Sequence, residues 1–202
     1  MVRGYTLLMA AQKVPLLRPD EYLAREKEAN EKSEYISGEI LAMAGASTTH
    51  NRIVTATLTA LDTRLPTEQS CEPFNSDQKV RLREAGPFFY PDVSVACEPV
   101  IDDDDCLRNP ILIVEVLSAS TAHYDRGEKW FHYRQLPSLQ EYILLSQEEA
   151  HAEHYSRRGE TTWLYSEQKG LETSLVLPSL SLSLHLREFY RRLPFENGQE
   201  KT

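Results

Sequence analysis

Seven consecutive residues, Ile111-Leu112-Ile113-Val114-Glu115-Val116-Leu117, are apolar except for one carboxylate, and no other segment constrains the fold of this chain as tightly. A run of that length and branching reads as a β-strand covered on both faces, which places it in the middle of a sheet. Ser118 to Thr121 can then cap a helix from Ala122 to Gln135, and beyond Pro137 the segment Glu141 to Ser146 reads as a second buried strand. Strand, helix, strand in that order makes the two strands parallel. Glu115 is the informative exception. An isolated carboxylate there would lose most of its hydration, so it must pair with a cation, bind a metal or protonate. From the run alone, a structural ion pair or an acid reaching water at a strand end explains it equally well.

The rest of the chain supplies the remaining layers of one α/β domain with a mixed central sheet flanked by helices, expected over residues 19–193. Residues 1–18 form a poorly patterned extension, and a polar tail begins at Pro194. Pro19-Asp20 opens a charged helical stretch, Glu21 to Asn30, with acids in its first turn, expected as an exposed capping helix. Glu34-Tyr35-Ile36 and Glu39 to Met43 flank Ser37-Gly38, the pattern of a tight β-hairpin. From Ser47 or Thr48 as N-cap, Val54, Leu58, Leu61 and Leu65 mark one face of an amphipathic helix that Pro66 stops. Gln78 to Leu82 and Phe88 to Ala96 read as two antiparallel strands around the turn Glu84-Ala85-Gly86-Pro87. Near the C-terminus, His151 to Tyr155 and Thr161 to Tyr165 form an added hairpin, and a last strand and short helix run from Leu175 to Arg192.

Composition excludes several classes. A chain of 202 residues with 41% hydrophobic content buries one core. No segment approaches the roughly twenty apolar residues needed to cross a bilayer, which excludes a membrane-spanning helix. Cys71, Cys97 and Cys106 are odd in number and lack CxxC spacing, so neither a disulfide framework nor a zinc site is expected, and a reducing cytoplasm fits. The run Asp102 to Asp105 is expected as a solvated, flexible loop, with a calcium or magnesium loop as the alternative.

Asp92 changes the meaning of Glu115. Pro91-Asp92-Val93 sets a second acid in the strand just before, so that two carboxylates can converge from adjacent strands. Magnesium is commonly held by one or two carboxylates together with waters and phosphate oxygens, which suits phosphodiester hydrolysis.

Pro91-Asp92, Glu115, and then Ser118-x-Ser120-Thr121-x3-Asp125-x3-Lys129-x3-Tyr133 resemble the Uma-two family of bacterial proteins, within the PD-(D/E)XK restriction-endonuclease-like superfamily. Tyr35-x2-Gly38-Glu39, His50 and Pro137-x3-Glu141-Tyr142 extend the resemblance over Tyr22 to Tyr190. It implies a restriction-endonuclease-like core, Asp92 and Glu115 as ligands of Mg2+ with Mn2+ as substitute, and Glu39 as a third acid. The superfamily's lysine is expected two residues after the Glu, where this chain has Leu117. Lys129 is similar to a migrated lysine, with Lys79 a competitor. His50, Asp125 and Tyr133 are supporting candidates. Asp125 and Lys129 at i, i+4 also read as a surface helical ion pair, and His50 and Tyr133 as packing.

The function implied is a magnesium-dependent endodeoxyribonuclease, a homodimer by analogy with restriction-like enzymes that cut two strands. Two other readings keep the same residues: a silent nuclease-like fold serving as a nucleic-acid or protein interaction module, and a hydrolase of small phosphate esters. The net charge of −9 favours the silent fold, since Lys and Arg are scattered and arginines fall close together only at Arg81/Arg83, Arg157/Arg158 and Arg191/Arg192.

Overall fold

The computed structural model describes residues 16–43 and 45–195. Most of the expected N-terminal extension and most of the polar tail lie outside them. The described chain opens with α1 (Pro19–Glu28) and a hairpin of β1 (Ser33–Ile36) and β2 (Glu39–Ala42). Ser37 and Gly38 both take positive φ, as a two-residue hairpin turn demands, and a Cβ on Gly38 would lie 2.6 Å from the Leu16 Cβ. The helix α2 (Thr48–Arg64) is capped where expected, with the Ser47 hydroxyl accepting the His50 backbone N–H at 3.0 Å.

The sheet region follows as β3 (Cys71–Asn75), β4 (Lys79–Arg81), β5 (Phe88–Phe89), β6 (Val93–Cys97), β7 (Cys106–Leu107) and β8 (Leu112–Leu117). Then come α3 (Ala122–Tyr124), a π-helical stretch (Asp125–Lys129) and α4 (Trp130–Tyr133), which together make the expected helix after β8. The chain ends with β9 (Glu141–Ser146), β10 (His151–Arg157), β11 (Trp163–Lys169), β12 (Ser174–Leu177), β13 (Leu182–His185) and α5 (Leu186–Phe189).

Two sheets carry the fold. The larger runs β11-β10-β9-β8-β6-β3 and the smaller β2-β1-β5-β4-β7, while β12 and β13 pair separately. The apolar run is central in the larger sheet, antiparallel to β6 and parallel to β9, and all six residues of β8 are buried. Alternation along β8 accounts for its composition. Leu112, Val114 and Val116 pack with Ile53 and Leu61 of α2 and with Leu175, Leu184 and Phe189, whereas Ile113 and Leu117 face Val80, Phe89, Tyr133 and Tyr142. Glu115 has the parity of the second set, so it points into the core between the sheets.

Several expectations change. Phe88 to Ala96 is not one strand: β5 pairs with β4 and β1 in the smaller sheet, and the chain crosses at Tyr90-Pro91-Asp92 into β6 of the larger. Proline lacks the N–H that a continuing ladder requires. The strand β3 was not legible, because Glu72 and Pro73 interrupt its pattern. The stretch from Leu175 holds two strands, with Ser181 in the left-handed turn between them. The capping helix α1 is not wholly exposed, since Tyr22 and Leu23 are buried against Tyr35 and Phe88. The face of α2 is rotated from the expected seam: Ile53, Ala56, Thr57, Ala60 and Leu61 are buried, and Val54 and Leu58 lie on the flank.

Cys71 and Cys97, opposite each other in the β3–β6 ladder, are disulfide-bonded, against the expectation of no disulfide. Odd count and spacing carry no information about which cysteines a register brings face to face. The aspartate run is not a free solvated loop either. Asp102 Oδ1 accepts the backbone N–H of Asp104 and Cys106 at 3.0 Å each, and Arg81, Arg108 and Lys27 reach Asp102 or Asp104 within 3.4 Å. Lys27 of α1, Arg81 of β4 and Arg108 just after β7 offset the repulsion that the sequence alone suggested. Among the described residues no helix is long and apolar enough to cross a membrane.

Candidate active site

The crossing at Tyr90-Pro91-Asp92 delivers Asp92 beside the middle of β8. Asp92 Oδ2 accepts the Val116 backbone N–H at 2.7 Å and lies 3.1 Å from His50 Nε2 at the start of α2. Its own backbone N lies 3.4 Å from Glu115 Oε2. The two acids therefore meet as the sequence suggested, on the side of β8 where the two sheets face each other.

The helix after β8 supplies the cation. Trp130 stacks on Tyr142 at 5.5 Å and packs on Tyr155 and Trp163, which holds the helix against the larger sheet. The π-helical stretch turns both Asp125 and Lys129 inward, so their i, i+4 pair is buried rather than on the surface. Lys129 Nζ lies 2.9 Å from Glu115 Oε1, 3.1 Å from Glu34 Oε1 and 3.7 Å from Asp125 Oδ1. Tyr133 donates its hydroxyl to Glu115 Oε1 at 3.1 Å.

The electrostatics follow from that packing. Burial alone would lower the Lys129 affinity for its proton, but Glu115, Glu34 and Asp125 outweigh it, and the ammonium stays charged well above the usual lysine range. Burial pushes Glu115 well above the usual carboxylate range against the pull of Lys129, with repulsion from Asp92, Asp125 and Glu34 adding to it. Asp125 is raised by burial in the same way.

Glu39 is not brought here. It is exposed at the first position of β2, opposite Ile36 across the hairpin turn. The acid that arrives instead is Glu34 on β1, 4% exposed. Alternation could not have chosen between them, because Glu39 pairs with Ile36 and so shares the face of Glu34; what separates them is that β1 is covered by a strand on each side while Glu39 sits on the edge strand. Lys79 is also buried, but its ammonium lies over the Tyr22 and Tyr90 rings at 6.0 and 5.9 Å and forms no ion pair among the described residues. His50 is more than packing: besides its contact with Asp92, its Nδ1 is buried without a hydrogen-bond partner.

Among the described residues no three His, Cys, Asp or Glu side chains are grouped to hold a metal ion. The two acids still fit one that needs few protein ligands. Asp92 commits Oδ2 to Val116 and His50, which leaves Oδ1 without a hydrogen bond among the described residues, and Glu115 Oε2 has only the long contact to Asp92 N. Two carboxylate oxygens match the needs of magnesium and not the nitrogen and sulfur set typical of structural zinc.

Comparison with known proteins bears on the family and the fold. The sequence model of the Uma2 (Uma-two) family, described as "Putative restriction endonuclease", matches residues 19–187. Two uncharacterized proteins of Synechocystis sp. (strain ATCC 27184 / PCC 6803 / Kazusa) are similar over most of their length. One, sll1609, is 43% identical over 169 residues, covering 81% of this chain and 93% of its own. The other, slr1290, is 36% identical over 182 residues, covering 90% and 95%. The crystal structure of "a putative nuclease belonging to DUF820" from Anabaena variabilis superposes with a TM-score of 0.70 at 16% identity, covering 86% of this chain and 97% of that one. At that identity the likeness is one of fold.

Proposed function

The chain belongs to the Uma2 family, and on that premise we propose that it is a magnesium-dependent endonuclease that hydrolyses phosphodiester bonds of DNA, with Asp92 and Glu115 as the metal ligands. The observation that carries this reading is that Asp92, in the crossing just before β6, lies beside Glu115 of β8, each with an oxygen left for a cation, next to a buried lysine. A bound magnesium would polarise the phosphate and lower the pKa of an attacking water. The chain's own residues prepare the donors. His50 and the Val116 N–H fix the Asp92 carboxylate, and Lys129 and Tyr133 hold Glu115 Oε1 so that Oε2 faces Asp92. Manganese would substitute through the same oxygens.

A homodimer would present two such sites to the two strands of a duplex and gather the scattered arginines on one surface. The cytoplasm is where such a site would meet cellular DNA, and the Cys71–Cys97 disulfide is the observation that stands against that compartment.

One observation favours a second reading, a silent nuclease-like interaction module: three carboxylates surround Lys129 in this arrangement, so its ammonium has little donor capacity left for substrate. Plasmid cleavage separates the two. Purified protein should nick DNA with magnesium or manganese and stop in EDTA, and Asp92→Asn should lower the rate on the order of 100-fold. Equal behaviour of wild type and Asp92→Asn across both metals sinks the nuclease, and calorimetry that detects no magnesium at millimolar concentration supports the silent fold.

A further inference from the structure

Glu34 is the buried acid that the pairing of Asp92 with Glu115 leaves unexplained. It sits on β1 of the smaller sheet, away from both strands that carry the proposed metal ligands, yet each of its oxygens is engaged by a different part of the site. Oε1 accepts the Tyr90 backbone N–H at 3.2 Å and lies 3.1 Å from Lys129 Nζ. Oε2 accepts the Tyr124 hydroxyl at 3.2 Å. Tyr90 begins the crossing that delivers Asp92, and Tyr124 and Lys129 belong to the helix after β8. One carboxylate thus spans the crossing segment, the helix and the smaller sheet.

We propose that Glu34 is a positioning residue: it fixes the Lys129 ammonium relative to the segment that carries Asp92, and so sets the spacing between the cation of the site and its outer acid. The inference rests on the nuclease reading for its effect on rate, and on geometry alone for the coupling between Glu34 and Lys129.

A merely structural ion pair predicts something different, because of the charge count around Lys129. Glu34, Glu115 and Asp125 face one ammonium. Neutralising one acid of three relieves repulsion between buried like charges and still leaves Lys129 two partners. In Glu34→Gln the amide oxygen can continue to accept from Tyr90, so the crossing keeps its backbone contact while the charge that locates Lys129 is lost. Stability and rate are therefore expected to move in opposite directions, as happens where a site holds groups in an unfavourable arrangement for function.

The test combines thermal unfolding with cleavage kinetics on Glu34→Gln, Glu34→Asp, Lys129→Met and the double variant Glu34→Gln/Lys129→Met. Glu34→Gln should melt at or above the wild-type temperature, and its kcat should fall about 10- to 100-fold, the usual cost of losing an outer support of a metal site, with KM changed less than about twofold. Glu34→Asp keeps the charge one methylene short and should recover part of kcat. The double variant should melt higher than Lys129→Met alone, because removing the ammonium leaves Glu34 as an uncompensated buried charge.

A lower melting temperature in Glu34→Gln, with rate falling only in proportion to the folded fraction, overturns the positioning role. So does a double variant whose melting shift is the plain sum of the two single shifts. If wild type cleaves no DNA with either metal, the nuclease reading fails by itself, and the two melting comparisons still decide whether Glu34 is coupled to Lys129.

Discussion

The larger sheet buries titratable side chains on both of its faces, and it keeps them in two different ways. On the face toward the smaller sheet, Glu34, Glu115 and Asp125 gather around the Lys129 ammonium. On the opposite face, Glu141 of β9 is 1% exposed and lies 3.9 Å from His154 Nε2 of β10, with no lysine or arginine bonded to either among the described residues. Glu141 Oε2 and His154 Nε2 are both buried without a hydrogen-bond partner. Burial raises Glu141 to about 7 and, with Arg158 nearby, lowers His154 to about 4. Burial raises the acids on both faces, and what separates the faces is the counter-ion: the first sets three acids against one buried ammonium, while the second leaves its acid beside a histidine that burial keeps neutral. A buried acid by itself does not mark a functional site. A buried acid given a buried cation and uncommitted oxygens is the kind that points to one.

The largest effect that would break this contrast is expected in Lys129→Met. Removing the only cation among three buried acids should cost about 3–5 kcal/mol, read as a lower denaturation midpoint at neutral pH and partly recovered in acid, where the carboxylates can protonate. An unchanged midpoint would mean that the cluster is hydrated and no more charged than its counterpart.

The neutral face gives a smaller effect, with a sign set by pH. Folded Glu141 holds its proton more tightly than the ordinary 4.5, so its contribution is fully present below about pH 4.5 and is lost as pH rises through 7. His154 acts oppositely: its contribution is present above 6.5 and is lost as pH falls through 4. Glu141→Gln should therefore be more stable than wild type at pH 8, by on the order of 2 kcal/mol, with the difference vanishing only below about pH 4. Urea titrations at both pH values measure it, and an equal difference at the two would place a charged Glu141 in the fold.

The smallest effect belongs to Glu39. Exposed at the head of β2, it should tolerate Gln within about 0.5 kcal/mol and without change in cleavage rate. A large loss of activity there would restore it to the site and displace Glu34.

The pattern of what was legible follows the range of the physics involved. The strand β8, the Ser37-Gly38 hairpin, the start of α2 and the parallel β8–β9 pair were readable because each depends on residues close in sequence. Glu115 was readable for the same reason, as an acid interrupting an apolar strand, and Asp92 as an acid beside one, at the crossing just before β6. The break of Phe88 to Ala96 into two sheets, the existence of β3 and the ordering of Asp102 by distant arginines depend on partners far along the chain.

By itself, then, the sequence determined that a carboxylate lies in a strand covered on both faces and that its desolvation has to be met by a cation, a metal, a proton or a route to water, because hydrophobic alternation and desolvation act locally. Which cation and which third acid was decided by tertiary structure alone. Glu34 is 81 residues from Glu115 in sequence, and the resemblance favours Lys129 over Lys79 without settling the choice. Only the π-helical turn after β8, and the packing of the smaller sheet on the larger, set one ammonium against Glu34, Glu115 and Asp125 and leave the other over tyrosine rings.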